Sequence, residues 1–102
     1  RSFVAGYWIP IEKPNSIADG LLTSLGEINF DIISNKVEDI LTVDDSQIIA
    51  AMRIIYERMK IVIEPSSAVS LAIVLKNKSL FEGKKVGVIL SGGNVDLSKL
   101  PF

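Results

Sequence analysis

Residues 68–75, Ala-Val-Ser-Leu-Ala-Ile-Val-Leu, constrain the fold of this chain more than any other stretch. Pro65 suits a first helical position, and Ser66 or Ser67 is placed to cap the helix that follows. That helix is apolar nearly all round, with only Ser70 interrupting, so it expects cover on most sides. It should end at Lys76-Asn77-Lys78-Ser79, where positive charge suits a helix C-terminus. Only two runs in the chain read as strands, residues 40–43 and 85–90. Sheets usually have about 4–6 strands, and a parallel sheet needs both faces covered. Two strands cannot shelter so apolar a helix. The expected fold class is therefore α/β, a partial three-layer α/β/α unit around a parallel-type sheet. It is incomplete without a preceding N-terminal part or a partner chain.

The second strand ends in the most distinctive local pattern. Val86-Gly87-Val88-Ile89-Leu90 has no polar alternation, the habit of a strand buried on both faces. It stops at Ser91-Gly92-Gly93-Asn94, and paired glycines permit a sharp turn. Ligands in open α/β sheets gather beyond the carboxyl ends of strands, where Ser91 stands with a hydroxyl that both donates and accepts. Taken alone, a plain strand-to-loop turn with a capping serine explains the same residues.

The remaining segments read simply. Residues 1–15 carry Tyr7, Trp8, Pro10 and Pro14 and read as an extended connector in which the aromatics pack. Asp19-Gly20 is a common turn pair, so a turn or cap role for Asp19 is the simplest one. Phe30, Ile33 and Val37 recur at helical spacing and predict a short helix over residues 28–36. Asp44 with Gln47 forms a capping-box pattern opening a helix. On that helix Ile48, Ile49, Met52, Ile55, Tyr56 and Met59 share one face, read as core before partner surface, while Arg53, Glu57 and Arg58 point away. Residues 60–64 lead out of it, and residues 96–102 close the chain.

Composition narrows the function. The 102 residues have a net charge of −1 and no basic block, which argues against a nucleic-acid partner. No apolar run approaches the ~20 residues of a membrane-spanning helix, and no secretory signal is visible. Absent cysteine fits a cytoplasmic enzyme and excludes disulfides and thiolate metal sites. Absent histidine removes the commonest general base and the Ser-His nucleophile pair. Chemistry here must use carboxylates, lysines, hydroxyls or a cofactor. A dinucleotide-binding half-domain is disfavoured, because no Gly-x-Gly-x-x-Gly lies between a strand and a helix. The chain begins at Arg1 rather than methionine and reads as cut from something longer, although processing would give the same start.

Ser16-Ile17-Ala18-Asp19-Gly20, Glu64-Pro65-Ser66-Ser67-Ala68 and Leu90-Ser91-Gly92-Gly93-Asn94-Val95-Asp96, in that order and spacing, closely resemble the C-terminal third of the serine/threonine dehydratase and serine racemase family. These are fold-type II, pyridoxal-phosphate enzymes, similar to the tryptophan synthase β chain. The resemblance implies that residues 1–102 are the C-terminal part of the large cofactor-binding domain. It implies that Ser91, followed by Gly92, meets the pyridine nitrogen from an otherwise dry pocket. Gly20 would lie against the ring with Asp19 beside it, and Glu64 would stand near the ring edge. A neutral hydroxyl at the ring nitrogen leaves it unprotonated and the electron sink weak, which suits β-elimination of water from L-threonine or L-serine. Reprotonation on the opposite face would instead racemise serine. The family's Schiff-base lysine, phosphate cup, substrate-carboxylate loop and carboxylate metal ligands have no counterpart here, so no catalytic residue is assigned and the chain alone is expected to be inactive. A small hydroxyamino-acid substrate and a homo-oligomer are expected. An oligomerising, non-catalytic α/β module is the competing reading.

Overall fold

The computed structural model describes Arg1–Phe102. Its organising contact is a helical pair, α3 (Asp45–Met59) on α4 (Pro65–Lys76), with α1 (Ser2–Ala5), α2 (Glu27–Lys36) and α5 (Lys78–Phe81) around it. Short 3-10 turns lie at Asp19–Leu21 and Leu97–Lys99.

Helix α3 forms as its sequence dictates. Asp44 accepts from the Gln47 amide at 2.9 Å, and Gln47 Oε1 accepts from the Asp44 amide at 3.0 Å, a reciprocal cap. The Ser46 hydroxyl, and after it the Gln47 amide, hold the Asp44 carboxyl below its ordinary value of 3.8. A carboxyl depressed in the folded state stabilises above its unfolded pKa and loses that contribution as pH falls through the folded one. Protection of the first-turn amides of α3 against hydrogen exchange is therefore expected to fade only below pH 3.8, and Asp44→Ala should remove this acid dependence. Exchange read against pH checks it.

The apolar face of α3 buries Ile48, Ala51, Met52 and Ile55, with Tyr56 half-buried and donating to the Ile63 carbonyl at 2.9 Å. Met59 does not belong to that core; it is 56% exposed in the last turn. The helix ends at Lys60 in the left-handed region (φ 58°), a conformation that costs a side-chain-bearing residue and that sequence normally signals with glycine.

Helix α4 meets α3 through Ala68 and Ala72, whose small side chains let the helices approach closely. Pro65 occupies its first turn as expected, but the cap is Glu64, and neither serine bonds its own helix end. Ser67 is buried with its hydroxyl unpartnered, while the Ser66 hydroxyl reaches another segment. Val69, Leu71, Ile73, Val74 and Leu75 are only half-buried, so the all-round cover that this helix expects is not supplied by these residues.

The expected strands are not formed: residues 40–43 and 85–90 join no ladder and belong to no regular element. A strand's amides and carbonyls need a neighbour, and residues 40–43 and 85–90 do not pair with each other. Each is tied to α4 by one side chain instead. Lys76 Nζ donates to the Thr42 carbonyl at 2.8 Å, and the Ser70 hydroxyl reaches the Ile89 carbonyl at 2.9 Å. Nor are residues 86–89 enclosed; Ile89 is 81% exposed. The N-terminal connector holds one helical turn, α1, closed at Gly6 with φ 78°, where the sequence suggested extended chain. There Trp8 Nε1 donates to the Leu25 carbonyl at 2.6 Å, whereas Tyr7 is exposed and does not pack.

Candidate functional site

Glu64 sits where the three motifs meet. Its position follows from α4, because Pro65 starts the helix and leaves Glu64 extended at the cap (ψ 161°). The backbone N–H of Glu64 donates to the Gly92 carbonyl at 3.0 Å, and Glu64 Oε2 accepts from the Asn94 amide at 3.2 Å. A backbone bond and a carboxylate bond thus clasp residues 91–94 from both sides of Gly93, where neither glycine adopts the positive φ that the expected sharp turn would use. The fit is tight. A Cβ at Gly92 would lie 3.1 Å from Glu64 Oε1, and one at Gly93 would lie 2.6 Å from the Val62 carbonyl oxygen.

Two residues on, in the first turn of α4, Ser66 reaches the other loop. Gly20 N–H is shared between Asp19 Oδ1 at 2.9 Å and Ser66 Oγ at 3.0 Å. A Cβ at Gly20 would stand 2.9 Å from Ser66 Oγ and 4.0 Å from Glu64 Oε1. Asp19 is exposed, heads the 3-10 turn Asp19–Leu21 and bonds the next amide, which is the turn role that its sequence suggests.

The first α4 turn therefore carries Gly20 on one side and the Gly92 loop on the other. Glu64 is half-buried between them. Ser91 adjoins this group through Gly92 but is exposed, so no dry pocket surrounds its hydroxyl within these residues. Two residues to which the sequence assigns no site role also belong to the arrangement. Asp45 holds Ser16 and Ile17 upstream of Gly20, and Ser66 was read only as a cap. No group of three or more His, Cys, Asp or Glu side chains could hold a metal ion.

The donor set suits a flat heteroaromatic ring. Bare glycine backbone permits stacking, a hydroxyl can meet a ring nitrogen, and a carboxylate lies alongside. Comparison with known proteins points the same way. Residues 1–92 match the family described as pyridoxal-phosphate dependent enzyme. The chain belongs to that family, whose cofactor is pyridoxal phosphate. It is similar to a protein of Paracoccus denitrificans named beta-hydroxyaspartate dehydratase, 51% identical over 102 residues, covering 100% of this chain and 32% of that protein. It is also similar to a serine racemase of Dictyostelium discoideum, 52% identical over 90 residues, covering 86% of this chain and 28% of that protein. Among solved structures it superposes on a T.th. threonine deaminase with a TM-score of 0.90 and 40% identity, covering 97% of this chain and 34% of the other. The chain thus spans about a third of the length of its relatives.

Proposed function

We propose that these residues form one wall of the cofactor pocket of a β-hydroxyamino-acid dehydratase and that the rest of the pocket comes from further polypeptide. In this reading residues 1–102 are the C-terminal part of the large domain. Residues 40–43 and 85–90 enter a parallel α/β sheet there, which also covers α4. The observation that carries the reading is the convergence of the Gly20 loop and the Ser91–Asn94 segment on Glu64.

When bound, pyridoxal phosphate supplies an electron sink for the carbanion formed at the substrate Cα. Ser91 would hold the ring nitrogen through its hydroxyl without giving up the proton, because an alcohol is too weak an acid, and the sink supplied there would be weak. Gly20 offers backbone to the ring face with no side chain between. Glu64 holds the Gly92 segment directly, and Ser66, two residues on, holds Gly20, with Asp19 and Gly92 beside them. A weak sink favours prompt loss of the β-hydroxyl. The substrate loses water, regains it on hydrolysis, and leaves as a 2-keto acid and ammonia. L-Threonine and L-serine fit that class, and the names of the relatives extend it to hydroxyaspartate. Serine racemase is the second reading, favoured by the Dictyostelium relative.

The test compares the chain alone with the chain joined to the preceding polypeptide of its gene. That segment is expected to carry a lysine in a Lys-x-Arg-Gly setting. The longer protein should be yellow and release keto acid from threonine or serine, whereas the chain alone should be colourless and inactive. Keto acid released by the chain alone would refute its dependence on further polypeptide. A colourless, inactive oligomer of the longer protein would favour a non-catalytic module. Chirality of serine recovered after incubation separates dehydratase from racemase, and size-exclusion mass reads the expected homo-oligomer.

A further inference from the structure

We propose that Asp45 and Ser66 are positioning residues that lock the Gly20 backbone from two helices at once. This proposal rests on the reading of Gly20 as the residue lying against the cofactor ring. The first attachment comes from α3. Both carboxylate oxygens of Asp45 are engaged by a segment far away in sequence. Ser16 Oγ donates to Oδ1 at 2.6 Å, and the Ile17 amide donates to Oδ2 at 3.2 Å. Ser16 Oγ then accepts from the Ala18 amide at 3.1 Å, so the Asp45 carboxylate fixes three consecutive residues. Ala18 is buried against the α3–α4 core, and the chain leaves it directly into Asp19-Gly20.

The second attachment comes from α4. Ser66 Oγ accepts from the Gly20 amide at 3.0 Å, sharing it with Asp19 Oδ1 at 2.9 Å, in a place where Gly20 itself is exposed. Water competes for an exposed amide, so this bond adds little to folding and acts mainly on where the Gly20 peptide sits. The same helix turn delivers Glu64 to the Gly92 loop, which references both candidate ring contacts to one rigid element. No alanine-sized residue fits at Gly20 without displacing Ser66, as the 2.9 Å approach shows. Asp45 sets the path into the turn, and Ser66 sets its last peptide.

The test uses the complete polypeptide with three variants: Ser66→Ala, Ser66→Thr and Asp45→Asn. Amide exchange over residues 16–22 is read in the cofactor-free protein, and cofactor affinity is read by titration with pyridoxal phosphate. Ser66→Ala leaves the Asp19 Oδ1 bond in place and should speed exchange at Gly20 about 2–3-fold, the worth of a shared hydrogen bond, and weaken cofactor binding by a similar factor, with thermal stability nearly unchanged. Ser66→Thr keeps an oxygen at that place and should restore both. Asp45→Asn puts a donor against Ser16 or the Ile17 amide and should weaken binding about tenfold, because a bond to a charged acceptor is lost. The proposal is overturned if exchange and affinity stay at the unsubstituted values, whether or not melting temperature falls. Failure of the unsubstituted polypeptide to bind pyridoxal phosphate sinks the functional reading instead, and the exchange data still report on the two attachments.

Discussion

Met52→Ala is expected to lower the stability of the complete polypeptide by about 2–5 kcal/mol, with the cofactor-facing loops loosening as well. Met52 has no solvent exposure and is among the largest fully buried side chains. Its neighbours in the core include Ala51, Ala68 and Ala72, which bring the helices close but fill little volume. Truncation therefore removes the principal filler of the α3–α4 seam. Helices cannot close the gap without moving the alanine contacts, so a cavity term adds to the lost transfer energy. Ala18 shares this core, and through it the cavity reaches the segment that ends in Gly20. Met59→Ala is the matched comparison. It deletes the same atoms from the same helix at a 56% exposed position and should change stability by no more than ~0.5 kcal/mol. Met52→Leu conserves volume and should cost less than about 1.5 kcal/mol. Urea unfolding reads all three, and equal midpoints for the two alanine variants would refute this account of the seam.

That pair also shows how far sequence carries. Periodicity placed Met52 and Met59 on one face, because both follow the same helical repeat. It could not show that the last turn of α3 leaves Met59 exposed, since what covers each turn of a helix is a tertiary fact. The Asp44–Gln47 cap was legible because its partners are three residues apart and the bonds are local. The two expected strands are not formed by these residues alone. A ladder needs a second backbone, and β-branched composition does not supply one. At the site, the order of the three motifs was enough to bring Gly20, Glu64 and Gly92 into one group. The bonds of Asp45 to Ser16 and Ile17 are not legible in the sequence, because those partners lie 29 and 28 residues away and its position reads as an ordinary acidic first turn. Ser66 was assigned to its own helix for the same reason, since local capping is the commoner use of such a serine.

Gly93→Ala is expected to cost about 2–4 kcal/mol and to dislodge the Ser91–Asn94 segment from Glu64. A Cβ there would stand 2.6 Å from the Val62 carbonyl oxygen, 3.4 Å from its carbon and 3.7 Å from Ile63 Cα. All are backbone atoms, and no rotamer change relieves the overlap. Either residues 62–64 or the segment must move, and each carries one end of the same clasp. The Glu64 amide to Gly92 carbonyl bond and the Asn94 amide to Glu64 Oε2 bond flank the substituted residue. Overpacking of this kind costs about 1–3 kcal/mol, and each of the two bonds, stretched rather than lost, adds about 0.5 kcal/mol. Gly92→Ala meets a different obstacle, Glu64 Oε1 at 3.1 Å, which belongs to a side chain that can swing away. It should leave stability within about 1 kcal/mol and shift the carboxylate alone. Under the proposed function the two variants separate cleanly. Gly93→Ala moves Ser91 with the segment and should lower both melting temperature and cofactor affinity, whereas Gly92→Ala should lower affinity with little change in melting. Should Gly93→Ala keep both properties at the unsubstituted level, the segment is not clasped as described, and Glu64 does not set the position of Ser91.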